Sequence, residues 1–127
     1  MRTILDTSVL VGPSLEPIDG ELAISSASLA ELHFGVLIAR SEVIRSERLR
    51  RLAAIERRFQ ALPVDGAVAR RYGQLAAAVA ASGRQPQARV MDLLIAATAA
   101  AHGARLCTRN AKDLTGLDAF VEIVAVN

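Results

Sequence analysis

The stretch of sequence that decides the fold is residues 90–101, which read VMDLLIAATAAA. They predict a helix over about Val90 to His102, ended by Gly103, and this helix is apolar on nearly all sides and therefore buried. Asp92 is the one ionisable group among residues 90–101. Burying an unpaired carboxylate costs several kcal/mol or forces it to take up a proton. We therefore expect the helix N-terminus and a divalent cation to compensate the charge of Asp92.

Short apolar strands alternate with helices on both sides of this stretch. The predicted strands are Thr3-Ile4-Leu5, Leu22-Ala23-Ile24, the brief extended piece Leu62-Pro63-Val64, Arg105–Thr108 and Val121–Val126. The other predicted helices are Ser28–Ala39, Ser41–Ala61 and one that is N-capped by Asp65 and ends before Gly83. This alternation predicts an α/β fold with three layers, α/β/α, around a central, mostly parallel sheet of four to five short strands.

The composition predicts one packed domain over residues 1–127. Hydrophobic residues make up 52% of the chain and charged residues 22%, which is too apolar for a disordered protein. No apolar run reaches the length of a membrane span, and the first residues lack the apolar region of a signal peptide, so we expect a cytoplasmic protein. The one cysteine, Cys107, has no partner for a disulfide or a zinc site and is expected to be a small buried side chain.

Arginine supplies all but one of the 15 positive side chains, although the net charge is only +2. Arginine suits phosphate recognition because its planar fork donates two parallel hydrogen bonds. The densest positive segment, residues 40–58, is therefore a candidate surface for guiding a nucleic-acid backbone. A solvated helix face, or a GC-rich genome, explains the same composition.

Asp6 is the first candidate site residue, because it follows the first predicted strand directly. Open α/β sheets bind their ligands beyond the carboxyl ends of their strands. Thr7 and Ser8 come next and are further polar candidates for the same site. The alternative for Asp6 is a structural role as the N-cap of a short turn at Ser8 to Val11.

Glu31 is the second candidate, and two interpretations of it remain open. The segment Ser28-Leu29-Ala30-Glu31 has the spacing of a capping box, in which the serine caps the helix and the glutamate reaches back to it. A carboxylate in the first helical turn is also stabilised by the helix dipole and can bind a metal.

Asp6, Glu31 and Asp92 would repel one another at one edge of the sheet. At about 4 Å and an effective dielectric near 20, each pair costs about 4 kcal/mol, and a cation removes that cost. Ligands that are all oxygen, without cysteine or histidine, favour Mg²⁺ or Mn²⁺ over Zn²⁺.

Four segments now match a known family in its order along the chain. With them the sequence resembles the PIN-domain ribonucleases, and in particular the VapC toxins of bacterial toxin–antitoxin pairs. The resemblance covers essentially the whole chain. The segments are Ile4–Leu10 (ILDTSVL), Ser28–Val36 (SLAELHFGV), Asp92–Ala99 (DLLIAATA) and Leu106–Leu114 (LCTRNAKDL).

The resemblance implies that Asp6, Glu31 and Asp92 are acidic metal ligands. It also implies that Thr108 and Asn110 stand where the family has its fourth site element. Many relatives have aspartate where this chain has Asn110, and a neutral amide adds no negative charge to the site. Asp113, three residues on, either supplies the missing acid or caps the following turn.

The function implied by the resemblance is metal-dependent endoribonuclease activity, with Mg²⁺ or Mn²⁺ as cofactor. Asp6 and Asp92 would hold the metal and orient an attacking water, and Glu31 would complete the ligand set or act as the base. The family further implies the toxin component of a type II pair that inhibits growth or translation. Its partners would be RNA, a VapB-like antitoxin and a second copy of the chain.

Two other functions compete with this one. A catalytically inactive PIN-like module would bind RNA or a partner without cutting, and the neutral Asn110 favours it slightly. A phosphatase with an aspartate nucleophile would need a second acid two residues after Asp6. That position holds Ser8, which counts against a phosphatase.

Overall fold

The computed structural model of the protein describes residues 1–13 and 17–127. At its centre is a sheet of five strands, and every neighbouring pair of strands is parallel. The sequence prediction of a mostly parallel sheet with four to five short strands is therefore confirmed. The strands are β1 (Arg2–Leu5), β2 (Glu21–Ser25), β3 (Gln60–Leu62), β4 (Arg105–Thr108) and β5 (Ile123–Ala125).

Helices connect these strands and cover both faces of the sheet, which confirms the three-layer α/β prediction. Short 3₁₀ turns at Pro86–Arg89 and Ala111–Leu114 complete the described secondary structure. None of the helices in the described ranges is both long and apolar enough to span a bilayer. The helices are α1 (Thr7–Leu10), α2 (Ser26–Leu37), α3 (Glu42–Arg58), α4 (Gly66–Ala81) and α5 (Val90–Ala101).

Alternate residues of the strands point into two hydrophobic clusters, because successive side chains of a strand face opposite sides of the sheet. Ile4 and Leu106 belong to the larger cluster, which contains the apolar faces of α4 and α5. Leu5 and Cys107 belong to the smaller one, with Ile55 of α3. Cys107 is completely buried there, as the sequence predicted.

The order of the strands in the sheet is β3-β2-β1-β4-β5. Along the chain, β2 and β3 add to one side of β1, and β4 and β5 then add to its other side. In open α/β sheets, such a reversal opens a crevice beyond the carboxyl ends of the two strands concerned. The fold therefore directs a ligand to the ends of β1 and β4, where Asp6 and Thr108 stand.

Two predicted boundaries are wrong. The helix expected to begin near Ser28 begins at Ser26, with Ser25 as its N-cap, so the capping box of Ser28 and Glu31 does not form. The helix expected to reach Ala61 ends at Arg58, because residues 60–62 pair with β2 as a parallel strand. In both places a contact with a distant part of the chain outweighs the local pattern.

Other predicted helix ends are confirmed. The Asp65 side chain accepts a hydrogen bond from the Val68 amide and caps α4. Gly83 and Gly103 each follow the end of a helix, and their φ angles are +84° and +60°. Helices commonly end with a residue in this left-handed conformation, which glycine adopts more easily than other residues. Asp65 and Gly83 thus mark the two ends of α4, and Gly103 marks the end of α5.

A buried hydrogen bond joins the two helices that carry the candidate acids Glu31 and Asp92. The hydroxyl oxygens of Ser25, at the start of α2, and Thr98, on α5, lie 2.9 Å apart, and both residues are fully buried. The Thr98 hydroxyl donates to the Leu94 carbonyl oxygen at 2.8 Å, so Ser25 is the donor between the two hydroxyls. This bond sets the start of α2 against α5.

We expect Thr98→Val to lower the free energy of unfolding by about 1–3 kcal/mol, because it leaves the buried Ser25 hydroxyl without an acceptor. Urea unfolding followed by circular dichroism measures the change. Thr98→Val should cost less in a Ser25→Ala background, where the Ser25 hydroxyl and the cap of α2 are already absent. If Thr98→Val costs the same in both backgrounds, the hydrogen bond does not carry the effect.

Candidate metal centre

Asp6 lies at the end of β1 and is 7% exposed. Its backbone amide donates to the Cys107 carbonyl oxygen at 2.9 Å, which continues the pairing of β1 with β4 and fixes its position. One carboxylate oxygen, Oδ1, accepts from the Thr7 amide at 2.9 Å and caps α1. The other, Oδ2, accepts from the hydroxyls of Thr108 and Ser8, at 2.7 and 2.8 Å. Asp6 is thus both the helix cap and a member of the site.

The hydroxyls of Ser8 and Thr108 tie the loop after β4 to Asp6. Ser8 Oγ accepts from the Arg109 amide at 3.1 Å, and Thr108 Oγ1 accepts from the Asn110 amide at 3.0 Å. Each hydroxyl therefore accepts one hydrogen bond from a backbone amide and donates another to the Asp6 carboxylate. A carboxylate offers about four lone-pair positions, and three of those on Asp6 are used, so one remains for a cation.

Asp92 lies in the first turn of α5 and is half-buried. Burial raises its pKa, and the charges of Asp6, Glu31 and Asp113 raise the pKa further, while Arg89 lowers it. The net direction is upward, so the positive charge of Arg89 does not compensate the burial and the acids around Asp92. This is the shortage of positive charge that the sequence predicted for this helix.

Asp6 and Asp92 line one small pocket together with Thr108, Asn110 and Asp113. Leu106 and Leu114 close its floor. Asp113 pairs with Arg89 at 3.3 Å, so its carboxylate holds a charge partner instead of capping the turn. Asn110 is exposed at the rim. The structure therefore brings together five of the eight predicted site residues.

Glu31, Thr7 and Ser8 surround this pocket without lining it. The Thr7 hydroxyl donates to Glu31 Oε1 at 2.6 Å and lies 2.9 Å from the Ser28 hydroxyl oxygen. Glu31 faces a neighbouring cavity on the far side of Thr7. Its charge nevertheless acts on Asp92. Glu31 is thus an acid at the boundary between two openings.

The residues of this site suit a divalent cation by their chemistry. Their donors are carboxylate, hydroxyl and amide oxygens, which Mg²⁺ and Mn²⁺ prefer, and their charges are incompletely balanced. Within residues 1–13 and 17–127, no three acidic, histidine or cysteine side chains already stand close enough to enclose an ion. Without a cation between them, close carboxylates repel one another. The assignment of Asp6, Glu31 and Asp92 as ligands stays a prediction.

The sequence analysis missed Arg89, Ser28 and Arg109. Arg89 is the N-cap residue of α5 and pairs with Asp113, which lies 24 residues further along the chain, so no local pattern indicates this contact. Arg109 donates to the carbonyl oxygens of Pro13, at 2.6 Å, and Asn127, and so joins the loop after α1 to the end of the chain. No local pattern announces this contact, because its partners are distant in sequence.

Comparison with known families matches residues 3–115 to the PIN domain, and the chain belongs to this family. Within it, the chain is 38% identical to Ribonuclease VapC5 of Mycobacterium tuberculosis, across 97% of the chain and 94% of the relative. It is 34% identical to Ribonuclease VapC8 of the same species, across 76% of the chain and 88% of the relative.

Solved structures agree with this assignment. A member of the VapBC family of toxin–antitoxin systems from Mycobacterium tuberculosis, VapBC-5, superposes with a TM-score of 0.86 at 37% identity and covers 98% of both chains. FitAcB from Neisseria gonorrhoeae superposes with a TM-score of 0.75 at 26% identity and covers 95% of both chains. The fold predicted from the sequence resemblance is confirmed.

We expect Asp92→Asn to raise the melting temperature of the metal-free protein by a few degrees at neutral pH. The raised pKa means that the folded state holds the Asp92 proton more tightly than the unfolded state. The contribution of Asp92 to the free energy of unfolding is therefore fully present below about pH 4, the ordinary pKa of aspartate, and is lost as the pH rises through the raised pKa of the folded state. Thermal unfolding in EDTA from below this pH to neutral pH measures the effect. The melting temperature of the variant should rise relative to that of the wild type as the pH increases.

Addition of Mg²⁺ should reverse the order of the two melting temperatures, so that the wild type becomes more stable than Asp92→Asn. The wild type gains stability by binding the ion in its folded state, and the variant gains less because it has lost a ligand. A difference in melting temperature that is the same at every pH would contradict the electrostatic origin of the effect.

Proposed function

We propose that this chain is a metal-dependent endoribonuclease that hydrolyses RNA phosphodiester bonds with Mg²⁺ or Mn²⁺, as the toxin component of a type II toxin–antitoxin pair. The observation that carries the proposal is the pocket at the ends of β1 and β4, where Asp6, Asp92 and Asp113 meet. The 38% identity to Ribonuclease VapC5 supports RNA as the substrate.

Asp6, Asp92 and Glu31 would hold the cation, and Asp113 would be the fourth acid. When bound, such an ion polarises the phosphate and lowers the pKa of a water molecule. The hydroxyls of Ser8 and Thr108 orient Asp6 by occupying Oδ2. Arg89 holds Asp113 at the rim of the pocket. The chain's own contribution is therefore to fix the directions of the Asp6, Glu31 and Asp113 carboxylates before RNA arrives.

Glu31 is suited to accept a proton. Its Oε1 is held by the Thr7 hydroxyl, which fixes the side chain and leaves Oε2 for a second partner. Of the four acids, Glu31 alone lines the neighbouring cavity, and its charge also acts on Asp92. A base in this position accepts a proton from a nucleophile that approaches from the cavity side.

The phosphatase alternative is weakened by the contacts of Ser8. Its hydroxyl stands where such an enzyme needs a second acid, and it donates to Asp6 Oδ2. A carboxylate at this position would face the Asp6 carboxylate without that proton. The inactive binding module differs from the nuclease only in turnover, so the cleavage assay below separates them.

The proposed partners follow from the relatives. The VapBC-5 structure is described as a member of a toxin–antitoxin family, so we propose a VapB-like antitoxin for this chain. We further propose a homodimer, in keeping with the family, and a cytoplasmic location, where RNA is available. The arginines of residues 40–58 are proposed to guide the RNA backbone, a contact that weakens as the salt concentration rises.

We expect Asp92→Asn to reduce RNA cleavage by about 100-fold or more, since losing a group that only supports a metal ligand already costs about 10- to 100-fold. Asp6→Asn should behave alike, because asparagine keeps the α1 cap but removes the charge. The measurement is cleavage of total RNA by the purified protein with Mg²⁺ or Mn²⁺, with EDTA stopping the reaction. Mapping of new RNA 5′ ends after induction identifies the target.

The matched control is Asp118→Asn, which removes an exposed acid at the opposite edge of the sheet and should cut like the wild type. Induction in cells should arrest growth with the wild type and the control, and not with Asp92→Asn. Cleavage that survives chelation would refute the metal-dependent mechanism. RNA retention without any cleavage would identify the inactive module instead.

We expect Asp113, and not Asn110, to fill the fourth position of the site. Asp113→Asn should weaken Mn²⁺ binding by about 10- to 100-fold, the range typical of groups that support a metal site. Asn110→Ala should change it little, because the exposed amide carries no charge. Calorimetric titration with Mn²⁺ measures both. A larger loss with Asn110→Ala would reverse the assignment.

A further inference from the structure

A second cavity, of about 470 Å³, adjoins the acidic pocket on the far side of Thr7. Helices α1, α2 and α3 form its walls, and its size lies in the usual range for small-molecule sites. Thr7 and Glu31 connect it to the acidic site. Its lining residues are Thr7, Val11, Glu31, Leu32, Gly35, Ile44, Glu47, Arg48 and Arg51.

Two arginines supply positive charge to this cavity. Arg48 donates from Nη1 to the Gly35 carbonyl oxygen at 2.7 Å, and Arg51 donates from Nη1 to the Val11 carbonyl oxygen. These bonds anchor α3 to α2 and α1. Each guanidinium has five N–H donors, so both keep donors for a phosphate. Among the described residues, neither Arg48 nor Arg51 has an acidic partner within ion-pair distance. Arg45, on the same helix, does pair with Glu42.

Apolar side chains form the rest of the surface. Val11 and Ile44 line the cavity and remain 48% and 39% exposed, and Leu32 lies beside them. Exposed aliphatic groups can cover the face of a base or a sugar, while Glu47 offers an acceptor for base amino groups. A cavity with apolar, acidic and guanidinium groups together suits a nucleotide better than a purely apolar ligand.

We infer that this cavity holds the nucleotide adjoining the cleaved phosphodiester of a single-stranded RNA, with Arg48 and Arg51 binding its phosphate. This inference rests on the proposed nuclease function and adds a binding subsite to it. Three observations support it. Thr7 links the cavity to the acidic site, since its amide donates to Asp6 and its hydroxyl donates to Glu31. The cavity also holds two guanidinium groups and has a volume suited to one nucleotide. Occupation by a protein segment is the alternative that the test separates.

The test fills the cavity at Gly35. A side chain added at this helical glycine meets no atom within 4 Å, and Gly35 lines the cavity. Gly35→Phe should therefore fold normally, since almost any residue favours a helix over glycine. Gly73→Phe is the matched control, because Gly73 is also a helical glycine with open space around it, on α4 and outside the cavity.

The readout is the affinity for a fluorescein-labelled, mixed-sequence, single-stranded oligoribonucleotide, followed by fluorescence anisotropy in EDTA. We expect Gly35→Phe to weaken binding by about 10-fold or more, which is about 1.4 kcal/mol, and Gly73→Phe to bind like the wild type. Arg51→Ala should weaken binding similarly and lower the salt slope by about one. The exposed Arg70, which lies on α4 and outside the cavity, provides the control Arg70→Ala.

Unchanged RNA affinity in Gly35→Phe overturns the inference, and so does an equal loss in Gly73→Phe. If Gly35→Phe keeps its RNA affinity but no longer binds its antitoxin, the cavity receives a protein segment instead. Failure of the proposed function looks different: the wild type then binds RNA through the cavity in EDTA and releases no product when Mg²⁺ or Mn²⁺ is added.

Discussion

The constraint on which the rest of the structure depends is the repulsion among carboxylates gathered at one edge of a parallel sheet. The fold reduces this cost by several separate means. The hydroxyls of Ser8 and Thr108 donate hydrogen bonds to Asp6. Asp92 lies in the first turn of α5, where the helix dipole favours a negative charge. Arg89 forms an ion pair with Asp113. The pKa of Asp92 is still raised, so the compensation is partial. A cation held by these acids, as proposed above, would offset the remaining repulsion.

The two openings on either side of Thr7 have different chemistry. The acidic pocket has carboxylate, hydroxyl and amide oxygens above Leu106 and Leu114, whereas the larger cavity combines guanidinium groups with exposed aliphatic side chains. Thr7 lines the larger cavity, and its hydroxyl donates to Glu31. Under the proposed function, the chain would bind an ion with one set of residues and contact its substrate with another. Changes at Arg48, Arg51 or Gly35 would then alter recognition and leave the acidic residues in place.

Much of the fold follows from local pattern, because buried strands, helix caps and terminal glycines act over a few residues. The strand before Asp6, the cap at Asp65 and the apolar helix around Asp92 are of this kind, and the structure has all three. The failures involve distant partners: Ser28 is buried beside Thr7, and Gln60–Leu62 pairs with β2. Likewise, the pattern indicated the acids of the site but not Arg89 or Arg109, whose contacts come from folding.

The strand order also governs when the site can exist. β1 is central, yet its neighbour β4 comes almost a hundred residues later, and Asp113 later still. A chain emerging from the ribosome therefore displays Asp6 and Glu31 long before the remaining acids. During synthesis the incomplete polypeptide lacks part of the acidic site. Under the proposed function, the growing chain would therefore stay inactive until β4 and the residues after it have emerged and joined β1.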